Sequence, residues 1–195
     1  MLTTHDATGT GLASASIKAR AISASAGSRF TPAVALTIRI TAGSGRARTS
    51  LAAFDAALRS AGVADHNLIR LSSVIPGGAV VEVCPAEDQL HGSFGDVLYC
   101  VYAVAHATER GDDAWAGIGW ALAADGSGRG LFVEHSGHSE EQVSNQITMS
   151  LDDMDSGREQ KFSMEDTLLS SAHCHGQPVC AVVVATYRTA GWDER

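Results

Sequence analysis

A layered α/β fold built on mixed sheets is what this 195-residue sequence predicts. Strand-like runs recur along most of the chain, while only two substantial stretches carry the apolar spacing of a helix. The small glycine loop Gly43-Ser44-Gly45 lacks the Gly-Lys-Ser/Thr ending and the longer glycine spacing of nucleotide sites. A doubly wound nucleotide-binding sheet is therefore disfavoured, and no internal repeat marks a second domain.

Taken in order, residues 1–33 are rich in Ala, Ser, Thr and Gly and lack the basic start and apolar centre of a secretory signal, which reads as a flexible amino-terminal tail. A single domain is expected over 34–190. It opens where Val34, Leu36, Ile38 and Ile40 alternate as a half-buried strand requires. Gly43-Ser44-Gly45 is expected to break that strand. Leu51, Phe54, Leu58 and Val63 around a run of alanines predict a helix from about Thr49 to Ser60, capped by Thr49 or Ser50. Strands are expected at Leu68 to Val74, Ala79 to Val83, Val97 to His106, Trp115 to Ala123 and Leu131 to His135. Val143, Ile147 and Leu151 at one-turn spacing behind Ser139 predict a second helix from Glu140 to Met154. Strands at Thr167 to His173 and Val179 to Tyr187 complete the domain, with Trp115 and Trp120 expected in the core or a subunit interface.

Composition narrows the partners. The chain is 45% hydrophobic and 18% charged, enough for one core, and its formal net charge is -8. That field repels nucleic acid and anionic membranes but not a cationic substrate. No stretch is long and apolar enough to span a bilayer. Cys84, Cys100, Cys174 and Cys180 lie mostly in apolar runs without paired ligand spacing, as reduced core residues of a cytoplasmic protein would. His135, His138, Glu140 and Glu141, and separately His173, Cys174 and His175, have no recognised metal-site spacing, so no metal is expected.

The segment Asn67-Leu68-Ile69-Arg70-Leu71-Ser72-Ser73-Val74-Ile75-Pro76-Gly77 changes the argument. By its residues alone it is a strand ending in two serines and a Pro-Gly turn. It resembles the processing segment of the pyruvoyl-dependent arginine decarboxylases: Asn, an apolar pair, Arg, an apolar residue, Ser-Ser, an apolar pair and proline. Leu51-Ala52-Ala53-Phe54-Asp55-Ala56-Ala57-Leu58 resembles the family helix before that segment, and Gly130-Leu131-Phe132-Val133-Glu134-His135 the family strand that carries an acidic catalytic residue. The similarity runs from about Leu36 to Tyr187.

The resemblance implies an αββα-type sandwich and a chain that cuts itself between Ser72 and Ser73, turning Ser73 into a covalent pyruvoyl cofactor. The pyruvoyl ketone would form a Schiff base with the amine of arginine, release carbon dioxide and yield agmatine. Serine suits this chemistry because its hydroxyl is both nucleophile and leaving group. Asn67 is implied as a processing residue and could donate to the tetrahedral oxyanion; an amide that ties down a strand end is the alternative. Glu134 is implied as the acid that protonates the carbanion, and its apolar strand would desolvate it toward the protonated form. Asp55 is implied to face the substrate guanidinium, which a carboxylate accepts as a planar fork, with Leu58 and Val74 lining the aliphatic part. A homotrimer with sites between subunits is also implied. The only lysines are Lys18 and Lys161, neither placed to hold pyridoxal phosphate, which agrees with a pyruvoyl group in its stead. Gly77-Gly78 stands where many members have a second proline, so the turn after the serines should be looser. The same chemistry on another amino acid, or an uncut ligand-binding or scaffold trimer, are the alternatives.

Overall fold

The computed structural model describes residues 35–193; the expected amino-terminal tail and the domain start at Val34 lie outside them. The elements are β1 (Thr37–Arg46), α1 (Ser50–Ser60), β2 (Asn67–Arg70), β3 (Val74–Ile75), β4 (Val80–Val83), β5 (Val97–Ala107), β6 (Asp113–Ala123), β7 (Gly130–Gly137), α2 (Glu140–Ser156), β8 (Phe162–His173) and β9 (Val179–Ala190), with a short 3-10 turn at Ala86–Asp88. They form two mixed or antiparallel sheets. One runs β2-β5-β9-β1-β4 and the other β3-β7-β6-β8.

Alternation within the strands builds four layers. Ile38, Ile40, Val101, Ala103, Val183 and Ala185 of the first sheet meet Ala116, Ile118, Trp120 and Phe132 of the second in one buried cluster. The opposite faces carry the helices. Ala53, Ala57 and Leu58 of α1 bury against Leu98, Cys100, Val182 and Val184, and Val143, Ile147 and Leu151 of α2 bury against Ala121 and Val133. The order helix, sheet, sheet, helix is the sandwich the sequence implied. Thr49 and Ser139 cap the helices, accepting from the backbone N–H of Ala52 and Gln142. All four cysteines are free and buried, and burial pushes the thiols of Cys100 and Cys180 up to about 12, which keeps them protonated. Among the described residues no helix is long and apolar enough to cross a membrane.

Two expectations are corrected. Gly43-Ser44-Gly45 does not break a strand: β1 runs through it to Arg46, paired with β9 from Arg39 to Arg46. The glycines are there because α1 lies on them. A Cβ on Gly43 would sit 2.4 Å from the Ala57 carbonyl oxygen, and one on Gly45 would sit 2.4 Å from the Ala57 nitrogen. The continuous strand from Leu68 to Val74 is also absent. β2 ends at Arg70 as the edge of the first sheet, and β3 starts at Val74 as the edge of the second. Leu71, Ser72 and Ser73 carry the chain across the rim of the sandwich.

Candidate active site

The crossing is anchored on both sides. The Leu71 N–H donates to the Cys100 carbonyl at 2.9 Å on the first sheet, and the Ser73 carbonyl accepts from the Phe132 N–H at 2.8 Å on the second. Between these anchors Ser72 is exposed. Ser73 has φ 67°, and among the described residues no other non-glycine has a positive φ. This left-handed conformation costs an L residue with a Cβ roughly 1–2 kcal/mol. Downstream the chain turns at Pro76-Gly77-Gly78-Ala79. Gly78 has φ 79°, the Ala79 N–H donates to the Pro76 carbonyl at 3.2 Å, and the Gly78 N–H donates to Ser127 at 2.8 Å. The Gly-Gly pair therefore sits in a closed, doubly bonded turn.

Glu134 lies on the adjoining strand. It shares the face of Phe132, toward the first sheet, while His135 points the other way and meets Ser150 of α2 at 2.8 Å. The Glu134 side chain is 11% exposed, with Oε2 at ion-pair distance, 3.5 Å, from the Arg70 guanidinium. That guanidinium also lies 5.0 Å over the Tyr102 ring. Glu134 Oε1 is buried and accepts no hydrogen bond. An unpartnered buried carboxylate oxygen is unusual and costs about 1–3 kcal/mol.

Among the other expected site residues, Val74 follows Ser73 directly and is exposed. Asn67 stands at the opposite end of β2, about 10 Å of strand from Arg70. Its side-chain amide donates to the Gly95 carbonyl at 2.6 Å and its backbone N–H to Asp96 at 2.7 Å, so within one chain it ties down a strand end. Asp55 is on α1, in the layer outside the first sheet, and half-exposed, with Arg59 at 3.1 Å. Leu58 is buried between α1 and the first sheet. A single chain thus brings Ser72, Ser73, Val74 and Glu134 together and leaves Asp55, Leu58 and Asn67 apart from them. Sequence reasoning assigned no role to Arg70 as the partner of Glu134. The signal available was a lone cation in the serine segment of a chain poor in lysine. It also passed over Tyr187, which donates to the Val74 carbonyl at 3.1 Å.

A four-layer αββα sandwich of this kind is consistent with the layered fold of the pyruvoyl-dependent decarboxylases. The family model described as pyruvoyl-dependent arginine decarboxylase (PvlArgDC) matches residues 37–190. The chain belongs to that family. A pyruvoyl-dependent arginine decarboxylase of Halobacterium salinarum is 37% identical over 155 residues, covering 77% of this chain and 92% of that protein. Pyruvoyl-dependent arginine decarboxylase 2 of Archaeoglobus fulgidus is 36% identical over 95 residues, 49% of this chain and 60% of that protein. The Thermoplasma volcanium enzyme of the same name is 38% identical over 103 residues, 53% of this chain and 56% of that protein.

Proposed function

We propose that this chain is one domain over 34–190 that cuts itself between Ser72 and Ser73, and that the pyruvoyl group formed from Ser73 decarboxylates arginine to agmatine. The observation that carries the reading is the left-handed backbone of Ser73 at an exposed junction held from both sides. In the cut, the Ser73 hydroxyl adds to the Ser72 carbonyl carbon, and the Ser72–Ser73 amide bond breaks as an ester forms. Loss of the Ser73 α-proton then expels the Ser72 carboxylate and leaves dehydroalanine. Its enamine tautomerises to an imine, water adds, and ammonia departs. Relief of the strained φ favours the first step.

The residues present fit the group: Ser73 supplies its carbon skeleton, and Glu134 Oε1 lacks a partner beside it. The pyruvoyl ketone offers a carbonyl to the substrate amine and a sink for the electrons released with carbon dioxide. The Phe132 N–H, already on the Ser73 carbonyl, holds the amide end of that group. Glu134 delivers the proton to carbon, and Arg70 orients its carboxyl through Oε2. Asp55 receives the substrate guanidinium, in the place where Arg59 Nη1 now approaches Oδ2 at 3.1 Å. Because Asp55 and Asn67 stand apart from Ser73 in one chain, a neighbouring chain of a trimer supplies them, and Leu58 supports Asp55 from below.

Carbon dioxide release from arginine, ornithine, lysine, histidine and aspartate tests the assignment. Arginine should be the preferred substrate, and Asp55→Ala should reduce that preference. Unchanged arginine turnover in Asp55→Ala would remove the guanidinium role.

A further inference from the structure

The downstream side of the scissile bond rests on very little backbone. β3 has two residues and is an edge strand, paired with β7 alone through Val74 and Leu131 and through Ile75 and Gly130. The Ser73 carbonyl faces β7, where Phe132 donates to it. In an extended chain the next carbonyl, that of Val74, points the opposite way, toward the open edge. Among the described residues no strand lies there. The Tyr187 hydroxyl, reaching across from β9 of the other sheet, donates to the Val74 carbonyl at 3.1 Å.

Tyr187 is itself fixed. It is 7% exposed in the core between the sheets, and its ring meets that of Phe132 edge-on with centroids 6.2 Å apart. The residue whose N–H holds the Ser73 carbonyl is thus the residue that orients the tyrosine holding the Val74 carbonyl. Burial raises the phenol above its ordinary range, reinforced by the Glu134 carboxylate and Cys100, so the hydroxyl remains a donor.

We propose that Tyr187 is a positioning residue for self-cleavage: by holding the Val74 carbonyl it keeps Ser73 in the left-handed conformation that presents its hydroxyl to the Ser72 carbonyl. The inference rests on the self-processing reading above. It touches the side of the cut that stays attached to the cofactor, so the same clamp serves before and after cleavage. Without it, β3 has an unpaired edge carbonyl, and rotation about Ser73 and Val74 lets the strained residue relax into the extended region.

The test follows cleavage of the full chain after cell-free synthesis, by denaturing mass spectrometry of timed samples. Tyr187→Phe keeps the ring against Phe132 and removes only the donor, and should slow the appearance of fragments about three- to tenfold, the kinetic equivalent of one hydrogen bond. Placing 4-aminophenylalanine at 187 restores a donor on the same ring and should restore the rate; a residue that merely fills space gives no such rescue. If Tyr187→Phe folds poorly, the comparison of 4-aminophenylalanine with 4-fluorophenylalanine at 187 separates donor from packing. A wild-type chain that cuts while Tyr187→Phe or the fluoro variant cuts equally fast overturns this inference alone. A wild-type chain that never cuts overturns both this inference and the self-processing reading.

Discussion

Ser73 and Glu134 reach the same rim of the sandwich for different reasons. Ser73 is drawn there because three residues join two sheet edges, and it takes a positive φ at that junction. Glu134 arrives by strand alternation, two residues beyond the buried Phe132. Its unpartnered Oε1 is the oxygen proposed to deliver the proton. Glu134→Gln should leave cleavage at Ser73 intact and lower kcat for arginine about 10²- to 10⁴-fold, the range for a general acid. Steady-state kinetics on fully cut protein check this, and a cut variant with wild-type kcat would remove Glu134 from the chemistry. Both residues were legible in the sequence as candidates, through the order of three short motifs. Their surroundings were not: neither the φ of Ser73 nor the approach of Arg70 to Glu134 follows from local pattern, because both depend on which strand edges the fold brings together.

Elements were legible where an apolar run lies within one sheet and less so where a segment is shared between two. β5, β6 and β9 carry long apolar runs, and their positions were predicted within a few residues. The segment from Leu68 to Val74, apolar at Leu68, Ile69, Leu71 and Val74, belongs to two sheets, since hydrophobicity records burial and not the sheet that supplies it. Glycines misled in β1 for a related reason, because a glycine that admits a helix backbone looks like one that ends a strand. Gly45→Ala should therefore lower stability by about 1–3 kcal/mol, as overpacking does, without changing the site residues. Thermal or urea unfolding measures it.

The β6–β7 connection offers a pH test. There Asp125 accepts from the Ser127 N–H at 2.9 Å and pairs with Arg129 at 2.7 Å, and the bonds from Ser127, with help from Arg129, hold its carboxyl down at about 2. A carboxyl lowered in the fold contributes stability above its ordinary value of 3.8 and loses that contribution as pH falls toward 2. Asp125→Asn should make acid unfolding less steep between about pH 4 and 2. An unchanged acid limb would show that these bonds do not outlast exposure to solvent.

At the scale of the molecule, four layers put α1 and α2 on opposite outer faces and leave the serine crossing on an open edge. One chain holds half of the proposed site. If a neighbouring chain completes it, Asp55→Ala and Glu134→Gln chains mixed and reassociated should recover activity that neither has alone, because some interfaces then combine intact halves. Absence of recovery in a mixed assembly of confirmed stoichiometry would place both residues in the same half-site. The layered architecture was legible from the number of strands and helices and from the resemblance, which implied sites between subunits with Asp55 and Glu134 facing a neighbouring Ser73; that Asp55 and not Glu134 is set apart from Ser73 emerged only when the layers were assembled.

The central claim is the cut itself, and denaturing mass spectrometry of purified, matured protein tests it most directly. Two fragments should meet at Ser72 and Ser73, the downstream one lacking a free amino terminus and lighter by one ammonia than a chain beginning with serine. A single uncut chain, or a downstream fragment beginning with an intact serine amine, would contradict it.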